Sequence, residues 1–185
     1  MKITFAEQAD AEIAVFVIDE GGKLPESAKA LDEASGGLLT EALEQERFTG
    51  KSGQQTYAVL PKSASARRAV LIGGGKPKDR DARAQEKIGA LLAKSQGGSG
   101  YKSLALHVDD AEFAARAAIG AELASYRFDE YFTKQKPEDK PSLEAFTVVC
   151  PDEGAAKAAW APLDAAAAGT RLARDLMNQP PNILF

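Results

Sequence analysis

The segment Ala11-Glu-Ile-Ala-Val-Phe-Val-Ile18 constrains the fold more than any other, because it is apolar at almost every position. A strand with one face in water alternates apolar and polar side chains, whereas a near-continuous apolar run is typical of a strand buried on both faces. Such a strand needs further layers of structure above and below its sheet. The segment therefore predicts a sheet that is covered on both sides.

Further β-prone segments alternate with helical patterns along the whole chain. The other predicted strands are Lys2–Ala6, Gln55–Leu60, Arg68–Ile72, Lys102–Val108 and Leu143–Cys150. One helical pattern begins at Pro25 and is interrupted at Gly36-Gly37, which predicts two helical pieces or a bend. Three further helical patterns cover 81–95, 111–126 and 153–177. The alternation predicts an α/β domain with a mixed, mostly parallel sheet. The second and third of these strands are close in sequence and are expected to pair as hairpin-like neighbours.

Composition and charge exclude several classes of protein. Hydrophobic residues make up 44% of the 185 residues and charged residues 27%, which is typical of a folded globular domain and not of a disordered chain. A net charge of -4 argues against a nucleic-acid binder, which is usually basic. The single cysteine fits a reducing compartment, and neither a signal peptide nor a membrane-length apolar run is present in the sequence. A cytoplasmic location is therefore expected.

The turn Gly73-Gly-Gly-Lys-Pro77 is the one candidate for ligand binding, since it follows a predicted strand and precedes a predicted helix. Backbone N–H groups of Gly73, Gly74 and Gly75 could cradle a phosphate there. The turn matches neither the P-loop pattern nor G-x-G-x-x-G. A tight strand-to-helix turn is the favoured interpretation, and a phosphate loop is the alternative.

Catalytic and metal-binding constellations are not apparent in the sequence. The chain has one histidine, His107, and one cysteine, Cys150, each within or at the end of a predicted strand. Structural roles are the simpler interpretation for both, because a zinc site or a catalytic thiol needs several such side chains together. The carboxylates near turns, Asp79, Asp81, Asp109 and Asp110, suit helix caps better than a cation site. No catalytic residue and no metal ligand is predicted.

The carboxyl-terminal stretch has the pattern of a helix end followed by the start of another segment. Pro180-Pro181 forbids continuation of the helix, with Asn178 a plausible cap, and the apolar Asn182-Ile-Leu-Phe185 follows. This pattern predicts a domain over 1–177, including a long linker helix over 153–177. Residues 178–185 are expected to be a hinge into a further domain of a longer protein.

Two long segments together resemble the leucyl aminopeptidase family, the cytosolic di-metal aminopeptidases. The segment Gly120-Ala-Glu-Leu-Ala-Ser-Tyr-Arg-Phe-Asp-Glu-Tyr131 is similar to a stretch of that family's amino-terminal domain. The segment Ala173-Arg-Asp-Leu-Met-Asn-Gln-Pro-Pro-Asn-Ile-Leu184 resembles the passage into its catalytic domain. Phe48-Thr-Gly-Lys51 and the glycine turn fit the family's order of elements too. One departure is Phe185, which stands where the family usually has threonine.

The resemblance implies a macro-domain-like fold, a three-layer α/β/α sandwich, with no catalytic residue of its own. In the family, two divalent metal ions, zinc or manganese, lie with their ligands in the catalytic domain, which releases amino-terminal residues from peptides. The chain alone is therefore expected to be inactive and to act as a scaffold or a regulatory surface. The alternative implied by the fold is a nucleotide or ADP-ribose binding module that uses Gly73–Gly75.

The resemblance also implies partners. Full-length members form homohexamers held mainly by their catalytic domains, so this chain alone is expected to be monomeric or weakly associated. The apolar positions Trp160, Leu163, Leu172 and Leu176 of the last helix are candidates for contact with the catalytic domain. Some of them are expected to be unusually exposed here.

Overall fold

The computed structural model describes residues 1–45, 47–136 and 140–183, and a six-stranded sheet lies at its centre. The strands are β1 Lys2–Ala6, β2 Ile13–Asp19, β3 Gln55–Val59, β4 Arg68–Gly75, β5 Ser103–His107 and β6 Ala145–Val149. They lie in the order β1-β6-β5-β2-β4-β3. Every neighbouring pair is parallel except β3 and β4, whose antiparallel pairing confirms the predicted hairpin-like set.

Each helical pattern of the sequence forms a helix in the structure. The α-helices are α1 Glu26–Ala34, α2 Leu38–Gln45, α3 Ala82–Gln96, α4 Ala111–Ala124 and α5 Glu153–Asn178. A short 3-10 turn over Pro77–Asp79, which the sequence patterns did not predict, precedes α3. Helix α5 continues through Pro162, whose missing N–H removes one backbone hydrogen bond from the middle of the helix.

The break between α1 and α2 confirms the prediction of two helical pieces. Gly36 and Gly37 take φ values of 78° and 87°, which are in the left-handed region that favours glycine. The Asp32 carboxylate accepts hydrogen bonds from the N–H groups of Leu39 (2.8 Å) and Thr40 (3.1 Å). This side chain therefore satisfies free donors at the start of the second piece.

Strand β2 lies in the middle of the sheet and faces two separate apolar cores. Ile13 and Val15 point into a core shared with α3, α4 and the start of α5. Phe16 and Ile18 point into a second core, closed by α1 and α2. All four side chains are buried, which confirms the strand predicted to be covered on both faces. The layers form the predicted three-layer α/β/α sandwich.

Helices α3 and α4 approach each other so closely that two glycines are required at the crossing. A Cβ added to Gly89 would lie 1.8 Å from the carbonyl oxygen of Ala117. A Cβ added to Gly120 would lie 1.8 Å from the carbonyl oxygen of Glu86. Both obstacles are backbone atoms, so neither can move aside without separating the helices.

Replacing Gly89 by alanine is expected to lower the free energy of unfolding by roughly 1–3 kcal/mol, because the added methyl group forces the helices apart. Gly169→Ala is the matched control, since this helical glycine has nothing within 4 Å of its Cβ position. The control is expected to raise the free energy of unfolding by about 0.5–1 kcal/mol through helix propensity. Urea unfolding followed by circular dichroism measures both changes. Equal effects of the two substitutions would contradict the close approach.

Candidate functional site

The glycine turn predicted from the sequence forms the carboxyl end of β4 and packs against the loop before β3. The Gly73 N–H donates to the Gln54 carbonyl over 2.7 Å, and the Gly75 N–H donates to the Gly50 carbonyl over 2.9 Å. A Cβ on Gly73 would lie 2.0 Å from the Lys51 carbonyl oxygen, so this approach of two backbones needs glycine. The two N–H groups are therefore engaged within the chain.

Gly74, the middle residue of the turn, makes room for the guanidinium of Arg80. A Cβ on Gly74 would lie 2.6 Å from Nη2 of Arg80, whose side chain is only 11% exposed. The Arg80 Nε donates to the Gly74 carbonyl over 3.2 Å, and Nη2 forms a short ion pair with the Asp19 carboxylate. The guanidinium carbon also lies 5.6 Å from the ring centre of Phe113. Sequence reasoning did not identify this arginine, because its partners come from three separate segments.

A crevice of about 450 Å³ opens at the carboxyl ends of β2 and β5, beside this ion pair. The chain leaves β2 toward α1 on one face of the sheet and leaves β5 toward α4 on the other face. Ligands of open α/β sheets commonly bind where connections diverge in this way. The side chains around the crevice include Asp19, Lys23, Arg80, His107, Asp109 and Phe113. Charges of both signs thus surround it.

His107 is the last residue of β5 and Cys150 follows β6, as the sequence patterns predicted. The His107 ring stacks on Phe16, with ring centres 4.8 Å apart, and burial lowers the pKa of this imidazole. Cys150 is 2% exposed and follows β6 directly. Burial raises the pKa of its thiol, so the reactive thiolate is disfavoured.

Two of the four carboxylates near turns cap helices. Asp81 accepts from a first-turn N–H of α3 over 2.9 Å, and Asp110 does the same for α4 over 2.7 Å. Asp79 lies in the 3-10 turn, and Asp109 lines the crevice. Within residues 1–45, 47–136 and 140–183, no group of three or more His, Cys, Asp or Glu side chains is placed to hold a metal ion.

The two segments that carried the family resemblance lie against each other in the structure. The Tyr126 hydroxyl donates to the Asp175 carboxylate over 2.8 Å and accepts from the Asn178 side-chain amide over 3.3 Å. The Arg174 guanidinium lies 5.3 Å from the Tyr126 ring centre and donates to the Leu123 carbonyl over 2.8 Å. The last turns of α5 are thereby fastened to the end of α4.

A second set of contacts extends this attachment along the chain that leaves α4. The Gln179 amide donates to the Glu130 carboxylate over 2.8 Å, and the Tyr131 hydroxyl forms a short hydrogen bond to Gln179. Arg171 and Glu122 form an ion pair at 2.7 Å. We call the set the hinge clamp. Its members are Glu122, Tyr126, Glu130, Tyr131, Arg171, Arg174, Asp175, Asn178 and Gln179.

The outer face of α5 beyond the clamp is apolar and uncovered. Leu172 is 60% exposed and Leu176 is 43% exposed, as expected for some of the four apolar positions named from the sequence. Trp160 and Leu163 are partly covered, and Trp160 packs on Phe5 with ring centres 6.0 Å apart. Met177 is exposed as well. We call Leu172, Leu176 and Met177 the apolar stripe.

The predicted hinge over 178–185 is partly described. Asn178 is the last helical residue and Gln179 is the cap, so the helix ends one residue later than predicted. Pro180 and Pro181 follow, and Ile183 is exposed. Residues 184 and 185 of the predicted hinge lie outside the described residues, as do residues 137–139 of the loop between α4 and β6.

Comparison with known proteins gives a family and several close relatives. Residues 13–135 match the amino-terminal domain of the cytosol aminopeptidase family. A probable cytosol aminopeptidase of Caulobacter vibrioides is 40% identical over 189 residues, which cover 100% of this chain and 38% of the relative. One of Gluconobacter oxydans is 39% identical over 183 residues, covering 97% of this chain and 36% of the relative. The chain thus spans well under half the length of these relatives.

Solved structures share the fold at lower sequence identity. A tomato leucine aminopeptidase mutant superposes with a TM-score of 0.79 at 22% identity, covering 99% of this chain and 39% of that one. The bottromycin maturation enzyme BotP in complex with Mn gives 0.65 at 24% identity, covering 92% of this chain and 32% of that one. No helix in the described part of the chain has the length and apolar character that a membrane crossing needs.

Protonation of His107 is expected to destabilise the fold. Its pKa is lower in the folded chain than in the unfolded chain, where it is about 6.5. The unfolded state therefore takes up the proton first, so stability is full above about pH 7.5 and falls as the pH drops through the unfolded value toward the folded pKa. His107→Gln should flatten this decline between about pH 7.5 and 5.5.

Urea unfolding at a series of pH values measures the effect. His107 is the only histidine of the chain, so the difference between the wild type and the variant reports on this side chain. Parallel pH dependences of the two proteins would contradict the assignment.

Proposed function

The chain belongs to the cytosol aminopeptidase family, whose amino-terminal domain it matches, and from this premise we propose that it serves as the non-catalytic domain of an aminopeptidase. Its role is to hold and orient a catalytic domain through α5. The relatives extend well beyond the part that this chain covers, which leaves room for such a domain.

The hinge clamp is the observation that carries this proposal. A helix that only connected two independent domains would not need its last turns tied to the preceding domain by several side chains. Here Tyr126, Asp175 and Gln179 take part in that attachment. The clamp leaves the apolar stripe facing outward, and burying a leucine side chain stabilises an interface by about 1.5–3 kcal/mol. A domain docked on the stripe would thus have a fixed orientation.

The chemistry of the proposed whole enzyme is the release of amino-terminal residues from peptides. Two divalent metal ions, zinc or manganese, would activate water and polarise the scissile carbonyl in the catalytic domain. We place neither metal ligands nor catalytic residues in the chain described here. We also propose a homohexamer for the whole enzyme and a cytoplasmic location, in line with the name of its relatives.

A chimera tests the proposal. The chain is fused in front of the remaining portion of the Caulobacter vibrioides relative, and hydrolysis of leucine p-nitroanilide is measured with Mn²⁺. The chimera is expected to be active, and the chain alone is expected to give no turnover. Leu172→Asp combined with Leu176→Asp should lower the activity and the midpoint temperature of unfolding of the chimera, because two carboxylates would be buried at the interface.

The matched control is Ala30→Asp, an exposed position of α1, which covers the opposite face of the sheet from α5. This variant of the chimera should keep its midpoint temperature of unfolding, measured by circular dichroism, and its activity within about twofold, since an exposed charge on the helix surface costs little. Equal behaviour of the stripe variant and the control variant would refute docking on the stripe.

The second candidate is a nucleotide or ADP-ribose binding module. The crevice at the carboxyl ends of β2 and β5 favours it, because ligands of open α/β sheets bind at such positions. The engaged N–H groups of Gly73 and Gly75 speak against the glycine loop as its phosphate site.

Calorimetric titration with ADP-ribose separates this candidate from the first. We expect no saturable heat at millimolar ligand, because the deepest cation of the crevice, Arg80, is already paired with Asp19. Saturable heat that disappears in Arg80→Gln would instead establish the crevice as a nucleotide site.

A further inference from the structure

Strand β3 forms a free edge of the sheet, at the end opposite β1. Helix α5 packs beside β1, through the contact of Trp160 with Phe5, so the hinge clamp and the apolar stripe lie on the far side of the molecule from β3. A domain attached through α5 would accordingly leave the β3 edge open. The β3 edge is therefore a separate surface from the apolar stripe.

The hydrogen bonds to β4 fix which backbone groups of β3 point outward. Residue Tyr57 stands opposite Val70, while the Leu60 N–H donates to the Arg67 carbonyl over 2.9 Å. In an antiparallel pair, hydrogen-bonded positions alternate with positions whose N–H and C=O point away from the partner strand. Gln55, Tyr57 and Val59 are therefore the outward-pointing positions. Their N–H and C=O groups have no hydrogen-bond partner among the residues that the structure describes.

The outward positions also carry exposed apolar side chains. Tyr57 is 60% exposed and Val59 is 63% exposed, on the sheet face that α2 does not cover. The Arg68 guanidinium lies 4.9 Å from the ring centres of both Tyr57 and Tyr101. This contact holds the Tyr57 ring in place on the sheet surface.

The edge lacks the features that usually prevent strand pairing between molecules. Natural sheets protect their edges with lysine, proline or a bulge within the strand. Gln55-Thr-Tyr-Ala-Val59 has no charged residue and no proline, and its pairing with β4 is regular. Pro61 and Lys62 come only after the strand has ended. The strand is thus a template for another strand.

We infer that β3 pairs antiparallel with β3 of a second copy of this chain, about a two-fold axis at Tyr57. The free groups are spaced evenly on both sides of Tyr57, so the edge is complementary to itself, as a two-fold interface requires. Tyr57 faces Tyr57 of the second copy, and Gln55 faces Val59. Each facing pair exchanges two N–H···O hydrogen bonds, and the two sheets become one continuous sheet.

The proposed pairing is weak because the two strands share only a small contact area. One strand of five residues on each copy covers far less than the roughly 800 Å² per partner of a standard stable interface. The dimer therefore forms in a concentration-dependent way, and the monomer prevails in dilute solution. A test must therefore detect which residues of the two β3 strands face each other, and not only the mass of a dimer.

Disulfide trapping detects which residues of the two strands face each other. Cα atoms of a hydrogen-bonded antiparallel pair lie about 5.5 Å apart, within the range that a disulfide spans. Under mild oxidation Tyr57→Cys is expected to form a cross-linked dimer roughly tenfold faster than Val59→Cys, because Val59 faces Gln55 and lies far from its own counterpart. The native Cys150 is 2% exposed and does not compete.

A second variant keeps Tyr57 and its contact with Arg68. Gln55→Cys combined with Val59→Cys should cross-link, whereas each single substitution should not rise above random collision. Gel electrophoresis without reductant measures all four proteins at the same concentration. Equal rates for Tyr57→Cys and Val59→Cys, or a double variant no faster than its singles, would overturn the inference.

Discussion

The burial of β2 on both faces is the constraint on which the rest of the structure depends. Phe16 and Val15 point to opposite sides of the sheet and lie in different cores, so neither layer of helices can be omitted. The same strand sets the crevice, because the connections after β2 and β5 pass to opposite faces. Two glycines allow close contacts around this strand. Gly73 lets the loop before β3 approach β4, and Gly89 lets α3 approach α4.

Most of the fold could be predicted from the sequence because its signals are local. Apolar runs marked the strands, aspartates such as Asp110 marked helix starts, and Gly36-Gly37 marked the break between α1 and α2. The order of the strands was not predicted beyond the pairing of β3 with β4, since strand order depends on contacts between distant segments. The pairing of Arg80 with Asp19 was missed for the same reason, as 61 positions separate the two residues.

The functional surfaces were predictable only in part. The apolar positions Leu172 and Leu176 stood out in the sequence, because an apolar stripe on a helix needs cover from some partner. The hinge clamp did not, since Tyr126 and Asp175 belong to two motifs that are far apart along the chain and meet only in the fold. Its polar side chains carry no signal by themselves that distinguishes a tether between helices from an ordinary solvated face.

Pro162 makes the hinge clamp important for the position of the end of α5. A proline inside a helix leaves the carbonyl one turn before it without its usual donor, so α5 has a compliant point in its middle. From Pro162 to Asn178 the helix is a lever about 24 Å long at 1.5 Å per residue, so a bend of about 10° would move its tip by about 4 Å. The hinge clamp attaches the end of α5 to the end of α4 and so prevents this displacement. Whatever follows the helix thus takes its position from the body of the domain and not from the bend.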